Sequence, residues 1–596
     1  MKLSPHQRQA IETNRTAARA RWQAGRPGEA EGFWRAVLAI DPRDADALEG
    51  LGLAASGRGQ RDEAKRWFEK SHKADPARPT ARINLADMRL HDGAFREALT
   101  LARPVIAKTP GHAVAHFITG QAQLELGDTA AGLESLRTAA GLSDPVGGHI
   151  EGLVYSRIDV CDWRDYETLA GLLLERLRSG RPIAQPALPM LICDDPADLA
   201  TAARAHARWR CPPQPALAPT GALGEGRIRL GYVTGEMHDH PVAQVFAGVL
   251  EHHDREVFEL FCFSHGPARP DEIRTRLGAG FEHFVDVSQM SDEQIARTIA
   301  QCRIDIAVTL SGYTSAARPG ILTHRPAPAQ VSYIGWPGTL GSPCIDWLIA
   351  DCYVIPPGAE ADYDEAIARL PNSYHPSTPA PEAPASPPTR AAEGLPEHAF
   401  VFMAYNQPRK IAPARFAAWM RIIARVPASV LWLSDGGDEA KANLRREAQG
   451  AGIDPDRLVF AADRPARADH LARNALADLF IDTAPYNAHS TALDALRAGL
   501  PVITQRGQTF PGRVCAGFLE VAGLADLITE DLSSYEELAV ALALDPVRLA
   551  AIRARVAAAA TSPLFDSARY TQGLETALQT IHRMTLAGES PRSFSV

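Results

Sequence analysis

The chain has 596 residues, of which 45% are hydrophobic and 22% charged, and a formal net charge of −9. That length exceeds a single hydrophobic core and predicts about three or four domains, with the apolar-to-charged balance of a globular chain rather than a disordered or membrane-spanning one. The negative balance gives no basic footprint for nucleic acid or an anionic membrane, and the eight scattered cysteines form no Cys-x-x-Cys pair of a zinc knot or redox motif.

A reducing, cytoplasmic setting fits those cysteines best. The opening Met1 to Gln9 has no apolar core, and no later run reaches membrane-spanning length, so neither a leader nor an anchor is expected.

The first quarter of the chain repeats itself. Gly25, Gly59, Gly93 and Gly127 are each 34 residues apart, and Pro42, Pro76, Pro110 and Pro145 follow at 34, 34 and 35. That period is the tetratricopeptide one. Small residues recur at Ala18, Gly52, Ala86 and Gly120, where two helices must approach, and Ala30, Ala64 and Ala98 mark the second helix of each unit. Stacked hairpins of this kind make a superhelix whose groove usually takes peptide. The alternative is a scaffolding or dimerisation arm. Residues 1–145 are therefore read as four repeats, and 146–226 as a helical extension closed by the Pro-rich run from Cys211 to Pro219.

From Arg227 the pattern changes to short β-rich runs between helical stretches: Ile228 to Val233, Phe258 to Phe263, Phe284 to Val287, Ile304 to Leu310 and Val331 to Ile334. A Pro/Ala-rich break at 377–398 separates this lobe, 227–376, from a second, 399–585, followed by a tail, 586–596. Strands of the second lobe are predicted at Phe400 to Ala404, Val430 to Leu433, Leu458 to Phe460, Leu479 to Ile481 and Val502 to Thr504. The alternation predicts two doubly wound parallel sheets facing a cleft at their C-terminal ends. Neither lobe opens with a dinucleotide or P-loop glycine pattern.

Four segments look chemical. Met237 to Pro241 leads into a helix and offers His240 as a group near an acceptor hydroxyl; a packed loop histidine is the alternative, and companion ligands for a metal are missing. Arg325 to Gln330 runs into Gly335-Trp336-Pro337-Gly338-Thr339, which brings backbone close to the cleft or simply turns tightly. Asn406-Gln407-Pro408-Arg409-Lys410 places Lys410 where it could neutralise a departing diphosphate, unless it is a solvated surface charge. Asp482 to Asp494 passes from strand end through His489 into a helix that Ser490 and Thr491 start. This is either a phosphate site at a helix N-terminus, with Asp494 in reach of a ribose, or a plain cap.

Together these segments resemble the O-linked N-acetylglucosamine transferase and SPINDLY family over essentially the whole chain. The motifs occur in family order: the loop before His240-Pro241, Ser311-Gly312-Tyr313-Thr314, Arg325 to Pro328 with Gly335 to Thr339, Val430 to Leu433, Pro485 to Thr491, and Thr509 to Val514. The resemblance implies an α-helical tetratricopeptide superhelix followed by an α/β GT-B fold of two Rossmann-like lobes. It assigns His240 to the acceptor, Lys410 to the diphosphate and Gln407 to the nucleotide. His489, Ser490, Thr491 and Asp494 would hold diphosphate and ribose, Arg467 and His470 lie near the base, and Gly335 and Pro337 line the sugar side.

It further implies an inverting, metal-independent protein O-glycosyltransferase without cofactor, using UDP-N-acetylglucosamine, GDP-fucose or a CMP-nonulosonic acid. The repeat arm would recruit a protein with Ser or Thr hydroxyls, and the Ala- and Arg-rich chain with its short arm is similar to look-alikes that modify flagellin. Thr309 and Glu236 stand where relatives carry aspartate, and Trp336 where they carry tyrosine, which leaves the general base open. A catalytically silent adaptor and an enzyme acting on a small glycan are the competing readings.

Overall fold

A computed structural model of the chain describes all residues except 1–2, 24–25, 58–59, 143–147, 218–225, 268–270, 378–387 and 463–466. The described residues fall into two units, 1–150 with 171–176, and 151–170 with 177–596.

The first unit is the repeat arm. Helices Pro5–Gln23 and Pro27–Ile40, Ala45–Gly57 and Arg61–Ala74, Pro79–His91 and Phe95–Lys108, and Ala113–Glu125 and Thr129–Leu142 form four hairpins. The small residues of the repeat are explained by contact. Ala18, Ala30, Ala64, Ala86 and Ala98 have no exposed surface. A Cβ added at Gly52 would fall 2.5 Å from the Phe68 ring, and one at Gly120 would fall 2.8 Å from the Gly132 carbonyl oxygen. Gly93 and Gly127 turn between helices at φ of +73° and +84°, where a side chain is strained. Gly25, Gly59 and Pro145 lie outside the described residues.

The second unit carries two all-parallel sheets. In the first lobe the strands are β1 (Ile228–Thr234), β2 (Phe258–Ser264), β3 (His283–Asp286), β4 (Ile306–Thr309), β5 (Ala329–Ser332), β6 (Trp347–Asp351) and β7 (Ala366–Leu370). The second lobe has β8 (Phe400–Ala404), β9 (Ser429–Leu433), β10 (Leu458–Phe460), β11 (Leu479–Ile481), β12 (Val502–Gln505) and β13 (Ile528–Thr529), in the order β10-β9-β8-β11-β12-β13. The near-continuous burial of the inner strands, for instance Leu230 opposite both Leu260 and Ile306, is that of sheets covered on both faces, while the edge strand β3 is partly exposed.

The C-terminus departs from the boundaries expected. Helix Ser567–Leu586, assigned to the second lobe by its place in the chain, buries Tyr570, Leu574, Leu578 and Ile581 in the first-lobe core. Glu575 accepts a hydrogen bond from the Asp254 N–H at 2.7 Å and pairs with the buried His253 ring at 2.8 Å. The last strand, β14 (Phe594–Ser595), is no free tail: it pairs with β7 and extends the first sheet to β14-β7-β6-β5-β4-β1-β2-β3. The apolar face of the returning helix decided its partner, and chain order did not.

Helices Gly148–Asp159, Tyr166–Arg178, Leu188–Ile192 and Pro196–Arg210 make the extension. Its later part is fastened to both lobes: Arg204 pairs with Asp364 at 2.7 Å, and Cys193 to Asp195 reach the second lobe through Asp194. All eight cysteines are free, and among the described residues no helix is long and apolar enough to cross a membrane.

Candidate active site

A cavity of about 590 Å³ opens between the lobes, within the range that holds small ligands. Gly335, Trp336 and Pro337 line it from the first lobe, Gln407, Lys410 and Tyr486 from the second, and Gln185, Met190, Leu191, His206 and Arg210 from the extension. Of the residues singled out in the sequence, Gly335, Pro337, Gln407 and Lys410 meet here. His240, Arg467, His470, His489, Ser490, Thr491 and Asp494 do not line this cavity.

Lys410 ends a short turn, Pro408–Lys410, that follows β8. Its Nζ donates to the Asn487 carbonyl oxygen at 3.2 Å and sits 4.0 Å from the centre of the Tyr486 ring. Burial disfavours the ammonium and pulls its pKa down to about 7, against the opposing charge of Asp482. The cavity thus holds a cation with no carboxylate in salt-bridge contact among the described residues. Two buried polar atoms nearby, Asn406 Nδ2 and Asn487 Oδ1, have no hydrogen-bond partner among the described residues.

The loop under Lys410 is built by Asp482 at the end of β11. Its buried carboxylate accepts the N–H groups of Thr483 and Ala488 and the Thr504 hydroxyl, each at 2.7 Å. Desolvation raises this carboxyl to about 6 even so. The loop then enters helix Ser490–Arg497 at His489. The His489 ring stacks on Tyr486 at 4.8 Å, and burial with the neighbouring Lys410 charge holds it well below the ordinary histidine pKa, so it stays neutral. No side chain caps the helix, so its first N–H groups keep their capacity for an anion. The Thr491 hydroxyl approaches Asn406 Oδ1 at 3.4 Å.

One helical turn on, Asp494 accepts from Arg467 at 3.0 Å, and burial raises its pKa. Arg467 also donates to Gln244 of the first lobe at 2.9 Å. His470 lies close to the C-terminal end of β8, its ring 6.2 Å from that of Tyr405.

On the first lobe, His240 is the N-cap of helix Pro241–His252, its Nδ1 accepting the Val242 N–H at 3.2 Å. A neutral ring so bonded carries its proton on Nε2 and presents a donor. Burial lowers the His240 pKa and keeps the ring neutral. Glu236, one of the departures noted, is buried and accepts from Thr234 Oγ1 at 2.8 Å, Thr314 Oγ1 at 2.6 Å and Ser311 Oγ, so it knits β1 to the Ser311–Thr314 turn. Trp336 is likewise structural, donating to the Thr339 carbonyl at 3.1 Å with its ring edge-on to Tyr313. Gly335 is compulsory, since a Cβ there would meet the Leu310 carbonyl oxygen at 2.0 Å.

The sequence did not single out Tyr486, Asp482 or Asn487 for a role, although all three stand in the loop it flagged. The extension residues were missed altogether, for they carry no motif. No group of three or more His, Cys, Asp or Glu side chains placed to hold a metal ion occurs among the described residues.

The family model described as Glycosyl transferase family 41 matches residues 160–377 and 382–574, more than half of the chain. The chain is 37% identical over 380 residues to the Arabidopsis thaliana protein described as "Probable UDP-N-acetylglucosamine--peptide N-acetylglucosaminyltransferase SEC", covering 63% of this chain and 39% of that one. A SPINDLY protein of Petunia hybrida with the same enzyme description is 29% identical over 375 residues, 62% of this chain and 40% of that one. The chain therefore spans about two fifths of the length of these curated relatives. A solved mutant of the Thermobaculum terrenum O-GlcNAc transferase matches with a TM-score of 0.62 at 25% identity, covering 98% of this chain and 100% of that one.

Proposed function

The chain belongs to glycosyl transferase family 41, and from that premise we propose that it transfers a sugar from a nucleotide-sugar donor to a Ser or Thr hydroxyl of a protein, with inversion at the anomeric carbon. The observation that carries this reading is the half-buried Lys410 ammonium, held over Tyr486 beside the helix that starts at Ser490, across the cavity from Gly335 and Pro337.

The acceptor oxygen forms a bond to the anomeric carbon as the bond from that carbon to the diphosphate breaks. The departing diphosphate gains negative charge, which Lys410 and the open helix N-terminus are placed to stabilise. These positive groups supply what a metal would supply elsewhere, and the transfer is proposed as metal-independent on that ground. The proton lost by the hydroxyl passes to the basic oxygens of the leaving diphosphate or to solvent. His240, through its Nε2–H, orients an oxygen acceptor and does not take that proton. Gln407, Ser490 and Thr491 bind the nucleotide diphosphate, Asp494 the ribose, and Arg467 and His470 the base.

UDP-N-acetylglucosamine is the first donor to test, because the relatives' descriptions name it. A groove of stacked repeats supports a peptide acceptor recruited by the arm, and flagellin is the first protein to try. Thermal shift with UDP, GDP, CMP and their sugar conjugates tests the reading. One nucleotide should stabilise the protein selectively, and less so Lys410→Ala; no shift with any of them would count against a transferase.

A further inference from the structure

The loop that faces Lys410 is held from outside the two sheets. Asp194, on the link between helices Leu188–Ile192 and Pro196–Arg210, has its outer edge in solvent and its carboxylate turned to the second lobe. It accepts from the Gln508 N–H at 2.9 Å and from both the N–H and the hydroxyl of Thr509 at 3.0 Å. These groups open helix Phe510–Val521, whose positive end favours a carboxylate there. The fit is close: a Cβ on Gly507 would fall 2.8 Å from the Asp194 carboxylate, and one on Gly512 would fall 2.8 Å from the Pro485 carbonyl oxygen.

The contact continues toward the cavity. The carbonyl oxygen of Pro511, in the first turn of that helix, accepts the Asn487 N–H at 3.1 Å and lies 3.3 Å from His489 Nε2. Asn487 in turn offers its own carbonyl to Lys410 Nζ. A second link supports the Lys410 turn itself, since the Cys161 thiol approaches the Pro408 carbonyl at 3.5 Å and Asp159 pairs with Arg409 at 3.1 Å.

We propose that Asp194 is a positioning residue for Lys410: through one carboxylate the helical extension sets the loop whose Asn487 carbonyl accepts from Lys410, and so fixes the ammonium that faces the donor diphosphate. The part of this proposal that concerns the diphosphate rests on the transferase reading; the link from Asp194 to Lys410 does not. A carboxylate that merely ties the extension down would change stability alone. One that sets the loop also changes the surroundings of Lys410, whose titratable and charged neighbours are Asp482, Arg409, Tyr486 and His489.

The test reads Lys410 in two ways in the full chain. The pH dependence of its acetylation by acetic anhydride, followed by mass spectrometry, gives its proton affinity without any substrate. Turnover of the nucleotide sugar gives kcat and KM. In Asp194→Ala a loosened loop admits water, so the midpoint of Lys410 labelling rises from about 7 toward the ordinary lysine value, and kcat falls roughly tenfold or more. Asp194→Asn keeps an oxygen for the Thr509 donors and restores most of both. Should Asp194→Ala not fold, Thr509→Val removes one donor and moves both readouts the same way. An unchanged labelling midpoint in folded Asp194→Ala or Thr509→Val overturns the link, whatever happens to Tm. If wild type turns over no nucleotide sugar, the transferase reading falls while the labelling curve still decides the link.

Discussion

Arg467 of the second lobe donates one terminal nitrogen to Gln244 of the first lobe at 2.9 Å and the other to Asp494 at 3.0 Å. Gln244 passes its own amide hydrogen to Asp239 at 2.8 Å, in the loop that carries His240. One guanidinium thus joins the ribose side of the proposed site to the acceptor side.

Gln244→Ala and Arg467→Ala should therefore not be additive in donor binding. A hydrogen bond from a charged, half-buried group predicts a coupling of about 1 kcal/mol, or roughly fivefold in donor Kd. Calorimetric titration of the two single variants and the double variant measures it. Strict additivity would show that the lobes are joined without this contact.

Asp482 stabilises the Lys410 ammonium by its charge, so its removal should move the pH dependence in a stated direction. Above a pKa of about 7 the free protein loses the lysine charge, and donor capture, read as kcat/KM, should decline on the alkaline side. In Asp482→Asn the ammonium loses its proton more readily, and that decline should begin at lower pH. A decline that stays put or moves to higher pH would contradict the assignment.

The same substitution carries a stability signature. The folded-state pKa of Asp482 is raised to about 6 from the ordinary 3.8, so between those values the folded protein holds the proton that the unfolded chain releases. Asp482 therefore contributes a loss of stability as pH rises from about 4 through 6, and Asp482→Asn should flatten Tm across that window. An unchanged slope would mean that other groups govern it.

Much of this architecture was legible because it is written in local pattern. The 34-residue period gave the arm, and the structure supplies its cause in the close approaches at Gly52 and Gly120. Strands β8, β10 and β11 begin and end where the β-rich runs predict. What stayed hidden depends on distant pairing. Strands β6 and β7 lie beyond the last predicted strand of the first lobe, and nothing local says that helix Ser567–Leu586 crosses back to it. In the candidate site, Lys410 stands out in the sequence through its place after a strand, whereas Asp194 is far along the chain from the backbone groups it holds and has no motif around it. His240 was readable as a residue but not as a tautomer, which the Val242 N–H decides.

Packing at the arm makes a further prediction. A Cβ at Gly120 would lie 2.8 Å from the Gly132 carbonyl oxygen, a backbone atom that yields only if the helices part. Gly120→Ala should lower the stability of the arm by about 1–3 kcal/mol despite alanine's better helix propensity. Chemical denaturation of residues 1–150 in the full chain, followed by hydrogen exchange, measures it; equal or greater protection in the variant would refute the close-approach account.

The most direct test of the transferase assignment is nucleotide release from UDP-N-acetylglucosamine, GDP-fucose and CMP-nonulosonic acid in the presence of a protein acceptor, for wild type and Lys410→Ala side by side. One donor should release its nucleotide with sugar appearing on Ser or Thr, and the variant should be slower by about 100- to 1,000-fold. Release from none of the donors, or equal release by both proteins, would contradict the role given to the Lys410 cavity.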